Sequence, residues 1–122
     1  MKGIEVVYHC AATAHEGLSV FSPHLITQNI VTGSVSLFSA AIENKVKRII
    51  FCSSMARYGT NQIPFLESYT PVPQDPYGIA KVAAEKILTN LCNVHGVEFV
   101  IAVPHNIIGP RQKYDDCLLY TS

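Results

Sequence analysis

The sequence predicts an open α/β fold built on a parallel sheet, and three observations predict it. First, the runs "EVVYHC" (5–10), "RIIFCS" (48–53) and "EFVIAVP" (98–104) are rich in Val, Ile and Phe and nearly continuous in apolar character. Continuous rather than alternating apolar runs are the pattern of strands covered on both faces, as in a parallel sheet. Second, a helical stretch separates each run from the next, which gives the order β-α-β-(long loop)-α-β and calls for right-handed crossovers. Third, small and polar residues follow each run at its C-terminal end, where open α/β sheets bind ligands.

Each element has its own local signals. Ser22 is placed to cap the first helix, Pro23 suits its first turn, and the helix is expected to continue through "SLFSAAIEN" to Asn44. The connection from Ser54 to Asp75 holds Pro64, Pro71 and Pro73. A loop of about twenty residues inside a compact domain is usually either functional or disordered. Asp75 is the cap expected for the second helix, Pro76 its first residue and Gly96 its terminator. Along that helix Ala80, Ala84, Ile87, Leu88 and Leu91 recur at helical spacing and define the inward face, with Tyr77 and Lys81 at its N-terminal edge. Glu85, Lys86 and Asn90 are expected to point the other way.

Composition narrows the function. The chain has 122 residues, 48% of them apolar and 15% charged, with zero formal net charge, so it is one domain or part of one. It has no basic patch, which argues against a nucleic-acid partner. No uninterrupted apolar run reaches the ~18 residues of a membrane span, and "MKGIEVVYHC" is not a signal peptide, so no membrane partner is expected. Cys10, Cys52, Cys92 and Cys117 show neither Cys-x-x-Cys nor zinc-ligand spacing. They are expected to be buried free thiols of a reducing compartment, which implies a cytoplasmic protein. The five histidines are equally scattered, and no metal site is expected.

The candidate chemistry lies at the strand ends: "HCAATAH" (9–15), "CSSMARYG" (52–59) and "PHNIIGP" (104–110), joined by "QDPYGIAK" (74–81). A Tyr-x-x-x-Lys pair is weak evidence by itself, since this composition gives roughly 0.3 such pairs by chance. Its position says more. A lysine on the inward side of a helix needs an explanation, either as a snorkelling side chain at the helix end or as a functional group. A phenol with a pKa of about 10 is a poor base near neutral pH, and an ammonium one helical turn away favours its ionised form. Ser54 can hydrogen-bond a hydroxyl or carbonyl undergoing interconversion, or it and Ser53 can serve a turn. Ala11 and Ala12 lack bulk, which suits either a flat cofactor or a tight strand exit.

The motifs "YHCAATA", "IIFCSSMARYG", "PYGIAK" and "VPHNIIGPRQ", in this order and spacing, resemble the extended short-chain dehydrogenase/reductase family of NAD-dependent nucleotide-sugar epimerases and dehydratases. The resemblance implies a partial Rossmann-like domain over residues 1–116, without the N-terminal βαβ units that carry the glycine-rich turn and without the C-terminal substrate lobe. It implies NAD, with NADP open, a UDP- or dTDP-sugar as substrate, and a homodimeric parent protein. By position it makes Tyr77 the acid/base, Lys81 the residue that holds the nicotinamide ribose, and Ser54 the family's catalytic Ser or Thr. It lines the cofactor with Cys10, Ala11, Ala12, Asn29, Cys52, Ser53, Pro104 and His105, and places Met55, Ala56 and Asn106 at the sugar-nucleotide. The glycine that should follow Asn29 by three residues is Thr32 here, with Gly33 one step on.

Dehydratases of the family carry an Asp-Glu pair after the catalytic Ser or Thr, whereas this chain has Met55-Ala56. The resemblance therefore favours an epimerase, with another oxidoreductase or a dehydratase of the family as alternatives and a non-catalytic nucleotide-binding scaffold as a third. The fragment itself is expected to be inactive. "CLLYTS" (117–122) is the translation of TGTCTCTTATACACATCT, which looks like a transposase-adapter end from a sequencing library. Those residues are expected to be adapter read-through on a metagenomic fragment.

Overall fold

Val6–His9 (β1), Arg48–Cys52 (β2) and Glu98–Ala102 (β3) form one sheet in the order β1-β2-β3, with both pairings parallel. The computed structural model describes residues 2–13, 16–107 and 109–110, and the segment 117–122 lies outside them. Val6 stands beside Arg48 and Arg48 beside Glu98, so all three strands end together at one edge. The predicted parallel α/β fold is therefore present.

The first crossover is helical almost throughout: Glu16–Phe21 (α1), Pro23–Thr27 (α2), a π turn at Gln28–Thr32, and Gly33–Glu43 (α3). Ser22 does stand at the start of α2, but its side chain makes no capping hydrogen bond, and Pro23 alone supplies the helix-start signal. The helical course Pro23–Glu43 spans 21 residues and holds an 18-residue window of mean hydropathy 1.4, long and apolar enough to cross a membrane. Its interrupting polar residues hide this in a scan for unbroken apolar runs. Within the fold, Ile26, Ile30, Ser34, Phe38 and Ala41 make a buried stripe at helical spacing, and α2 and α3 pack against the second long helix.

That helix, Pro76–His95 (α4), begins and ends where its residues dictate. The Asp75 carboxylate accepts a hydrogen bond from the Gly78 amide at 2.9 Å, Pro76 opens the first turn, and Gly96 closes the helix at φ +68°. Ala80, Ala84 and Leu88 are buried as the periodicity requires, and Lys86 and Asn90 are exposed. Glu85 is not on the outer side as expected: it is only 5% exposed. The connection from β2 folds back across α4 and covers this flank, giving the carboxylate partners that no helical period could reveal.

That connection is folded on itself. It contains a 3₁₀ turn at Met55–Tyr58, a Val72 amide bonded to the Arg57 carbonyl at 2.8 Å, and a Tyr58–Phe65 ring stack with centroids 5.1 Å apart. Gly59 makes the close approach of its two limbs possible. It sits at φ +46°, and a Cβ there would lie 1.8 Å from the Val72 carbonyl oxygen.

The core lies between one face of the sheet and α3 and α4. Phe38, Ile49, Phe51, Ala84 and Leu88 are fully buried there, and Val7, Phe99 and Ile101 pack against them. Each large side chain contributes about 1.5–3 kcal/mol of burial. Cover on both faces, expected from the continuous apolar runs, is not observed among the described residues. Val6 is 41%, Tyr8 72% and Val100 48% exposed, because both helices lie on the opposite side.

Candidate active site

The strand ends bring three chain segments to one edge, and α4 starts beside them. Lys81 is the centre of this arrangement. It is 3% exposed, its ammonium donates to the Cys52 carbonyl at 2.8 Å, and it lies 5.0 Å from the Phe51 ring centroid and 5.9 Å from that of Tyr77. It does not snorkel to solvent. Burial pushes its pKa down, while Cys52, Cys10 and Glu85 act in the opposite sense. Tyr77 is buried against Ile26, Ile30 and Ala80, so the first crossover fixes one side of its ring.

Gly78, between these two residues, was not singled out by sequence. A Cβ there would stand 3.0 Å from the Ala56 carbonyl oxygen and 3.1 Å from Pro73 Cβ. Its missing side chain lets the first turn of α4 press against the turn leaving β2. The available signal was a glycine inside a helical pattern, which usually has a packing reason.

Ser54 caps the 3₁₀ turn, its Oγ accepting from the Ala56 amide at 3.2 Å. The turn role is thus real, and it uses only a lone pair; a hydroxyl that accepts in this way still has a proton to donate. Ser53 is turned inward, its hydroxyl donating to Glu85 Oε1, while Arg57 Nη1 approaches Glu85 Oε2 at 3.3 Å. Glu85 therefore ties the turn that carries Ser54 to the helix that carries Tyr77 and Lys81. Sequence reasoning missed both Glu85 and Arg57, whose ion pair bridges elements far apart in the chain.

At the end of β1, Cys10 is exposed rather than buried, and its Sγ lies 3.5 Å from Cys52 Sγ. Cys52 is half-buried, and Cys92 is buried as expected. Cys117 lies outside the described residues. Ala11, Ala12 and Asn29 line a groove of about 350 Å³ together with His9, Thr13 and Gly33. Asn29 lies in the π turn and donates to Thr13 Oγ1 at 2.9 Å. A π turn takes one residue more than an α turn, and the glycine after Asn29 comes one residue later than the resemblance calls for. The extra residue is absorbed in the helix, and Asn29 and Gly33 both reach the groove. Small residues and three polar side chains, His9, Thr13 and Asn29, at a strand exit suit a flat dinucleotide.

Met55 and Ala56 line a second cavity of about 200 Å³ with Gln74 and Asp75. Pro104, His105 and Asn106 follow β3 at the same edge of the sheet, with His105 and Asn106 exposed and the Asn106 amide bonded to His105 Nδ1 at 2.9 Å. Among the described residues no three His, Cys, Asp or Glu side chains are grouped to hold a metal.

His9 lies under the groove, 5% exposed, with Nε2 2.8 Å from Ser34 Oγ and Nδ1 buried without a hydrogen-bond partner. Burial, and secondarily the charge of Lys81, pushes its pKa below the ordinary 6.5. The unfolded chain therefore takes up a proton near pH 6.5 that the folded chain resists. Stability is full above that pH and falls as pH drops through and below it. Thermal melts are expected to show a lower Tm at pH 5.5 than at pH 7.5, and His9→Gln is expected to shrink that difference. An equal difference in the variant would contradict the assignment.

The match to known proteins covers almost the whole chain. Residues 1–119 match the model of the family described as "NAD dependent epimerase/dehydratase family". The UDP-glucose 4-epimerase of Halalkalibacterium halodurans is 36% identical over 107 residues, which are 87% of this chain and 32% of that protein. A UDP-N-acetylglucosamine 4-epimerase from Methanobrevibacter ruminantium, solved with UDP-N-acetylmuramic acid, superposes with a TM-score of 0.90 at 35% identity, covering 95% of this chain and 38% of the other. The Thermus thermophilus UDP-glucose 4-epimerase complex with NAD gives 0.86 at 30% identity, covering 90% and 36%. The chain spans about a third of the length of the relatives it matches. On the family match, the shared parallel sheet and the ordered strand-end motifs, this chain belongs to the NAD-dependent epimerase/dehydratase family.

Proposed function

We propose that this chain carries the proton-transfer centre of an NAD-dependent nucleotide-sugar epimerase acting on a UDP- or dTDP-sugar. One observation carries the reading: a buried lysine, tied to the Cys52 carbonyl, lies beside the ring of Tyr77 at the C-terminal edge of a parallel sheet, where open α/β sheets bind ligands. An ammonium in that position favours the phenolate, so Tyr77 can take a proton from a sugar hydroxyl oxygen and later return it. Ser54 donates its hydroxyl proton to the same oxygen as it alternates between alcohol and ketone. Ala11, Ala12, Asn29 and Gly33 line the groove that would hold the dinucleotide, and Cys10 and Cys52 flank it at the strand ends. When bound, NAD supplies a reversible hydride acceptor. The keto-sugar turns between the two transfers, so the second one inverts the carbon.

A dehydratase is less well supported. Asp75 is the carboxylate lining the cavity beside Met55 and Ala56, and it is engaged in capping α4. The chain by itself supplies the proton-transfer residues, and we expect turnover to need the remaining length of the family's proteins. The test is a panel of UDP- and dTDP-sugars given to the full-length product of the gene that encodes this segment. Interconversion of one epimeric pair is the expected result. Net oxidation, loss of water, or no reaction across the panel would overturn the proposal.

A further inference from the structure

We propose that Cys10 and Cys52 are an oxidisable dithiol that closes to an intramolecular disulfide when a hydroperoxide reaches the exposed Cys10 thiol. The strand register and the sulfur positions both bring the pair together. The register of β1 on β2 is constant at 42 residues, from Val6 beside Arg48 to His9 beside Phe51, and one further step sets Cys10 beside Cys52. Neighbouring strands lie about 4.8 Å apart, inside the ~4.4–6.8 Å Cα range that a disulfide bridges. The two sulfurs already face each other at 3.5 Å, and both are free thiols.

The environments of the two thiols differ in a way that orders the chemistry. Cys10 is exposed, and the uncovered face of the sheet, with Tyr8 72% exposed, gives a small oxidant access to it. Cys52 is half-buried, and its carbonyl is held by Lys81, which fixes the strand end that must act as the resolving partner. Burial raises the Cys52 thiol pKa, and it is the exposure of Cys10 that makes it the first point of attack.

The steps balance. The Cys10 sulfur attacks one peroxide oxygen, the O–O bond breaks, and Cys10 becomes a sulfenic acid with release of water or an alcohol. The Cys52 sulfur then attacks the Cys10 sulfur, the S–O bond breaks, and a second water leaves with the thiol proton. Two thiols are oxidised by two electrons and the peroxide is reduced by two. Cys92, fully buried in the core, is expected to stay reduced. The pair does not depend on the epimerase reading.

Peptide mapping tests this directly, because trypsin places Cys10 in 3–45, Cys52 in 49–57, Cys92 in 87–111 and Cys117 in 114–122. The reduced protein is treated with hydrogen peroxide at low protein concentration, alkylated and digested. The expected product joins peptide 3–45 to peptide 49–57 with loss of two hydrogens, in a monomeric chain, and dithiothreitol reverses it. Cys10→Ser and Cys52→Ser should each abolish the joined peptide. Over-oxidation of Cys10 with Cys52 still alkylated, or Cys10 joined to Cys10 of another chain, would overturn the proposal. In the full-length protein NAD should slow the closure. Closure unaffected by NAD would leave the dithiol standing and count instead against the placement of the dinucleotide at these strand ends.

Discussion

Tyr77→Phe in the full-length gene product is expected to lower turnover by roughly 10²–10⁴-fold, the range a positioned acid/base supplies. The substitution removes one oxygen and keeps the ring. The contacts with Ile26, Ile30 and Ala80 that hold Tyr77 in place are made by the ring, so circular dichroism and substrate binding should change little. KM should stay within a few-fold while kcat carries the loss, because the missing interaction belongs to the transition state. Turnover at the parent level would remove Tyr77 from the chemistry. A variant that fails to fold would instead show that its hydroxyl is structural, a result circular dichroism separates from a loss of kcat.

The second large effect is on stability. Glu85→Ala is expected to cost about 3–5 kcal/mol, the cost of breaking a buried pair and stranding its partner. Glu85 is 5% exposed and joins Ser53 on one side and Arg57 on the other. Arg57 Nε is already buried without a hydrogen-bond partner, so losing the carboxylate leaves a poorly solvated cation. For a chain of this length the fall in Tm is on the order of 10–20 °C. Glu85→Gln should cost less, since the amide oxygen can still accept from Ser53. The pair Glu85→Leu with Arg57→Met should recover much of the loss, as apolar replacement of buried ion pairs often does. Urea unfolding of the four proteins measures this. A loss below about 1 kcal/mol for Glu85→Ala would show that the pair is only a surface contact.

Much of this was legible in the residues. The apolar runs located all three strands, and Asp75, Pro76 and Gly96 marked α4 at both ends because capping is local chemistry. The rim was legible too: strand exits made of small and polar residues signal ligands in an open sheet, and Lys81 on the inward side of its helix demanded a partner. What escaped the sequence depends on contacts between distant segments. Glu85 falls on the outer side of α4 by helical periodicity, yet the loop from β2 folds over it and brings Arg57 and Ser53. The π turn at Gln28–Thr32 leaves no composition signal beyond a glycine one place late. Cys10 reads as a buried thiol because it ends an apolar run, and its exposure follows from which sheet face the helices cover. Continuous apolar strands likewise say that two faces suit burial, not which of them these helices occupy.

The proposed role of the Tyr77–Lys81–Ser54 edge is reversible oxidation of a sugar carbinol. The most direct measurement runs the sugar-nucleotide panel with deuterium at the reacting carbon and the full-length gene product in ordinary water. The epimerised sugar is expected to keep its deuterium, because the same hydride leaves and returns. Epimerisation with the label lost to solvent would contradict it.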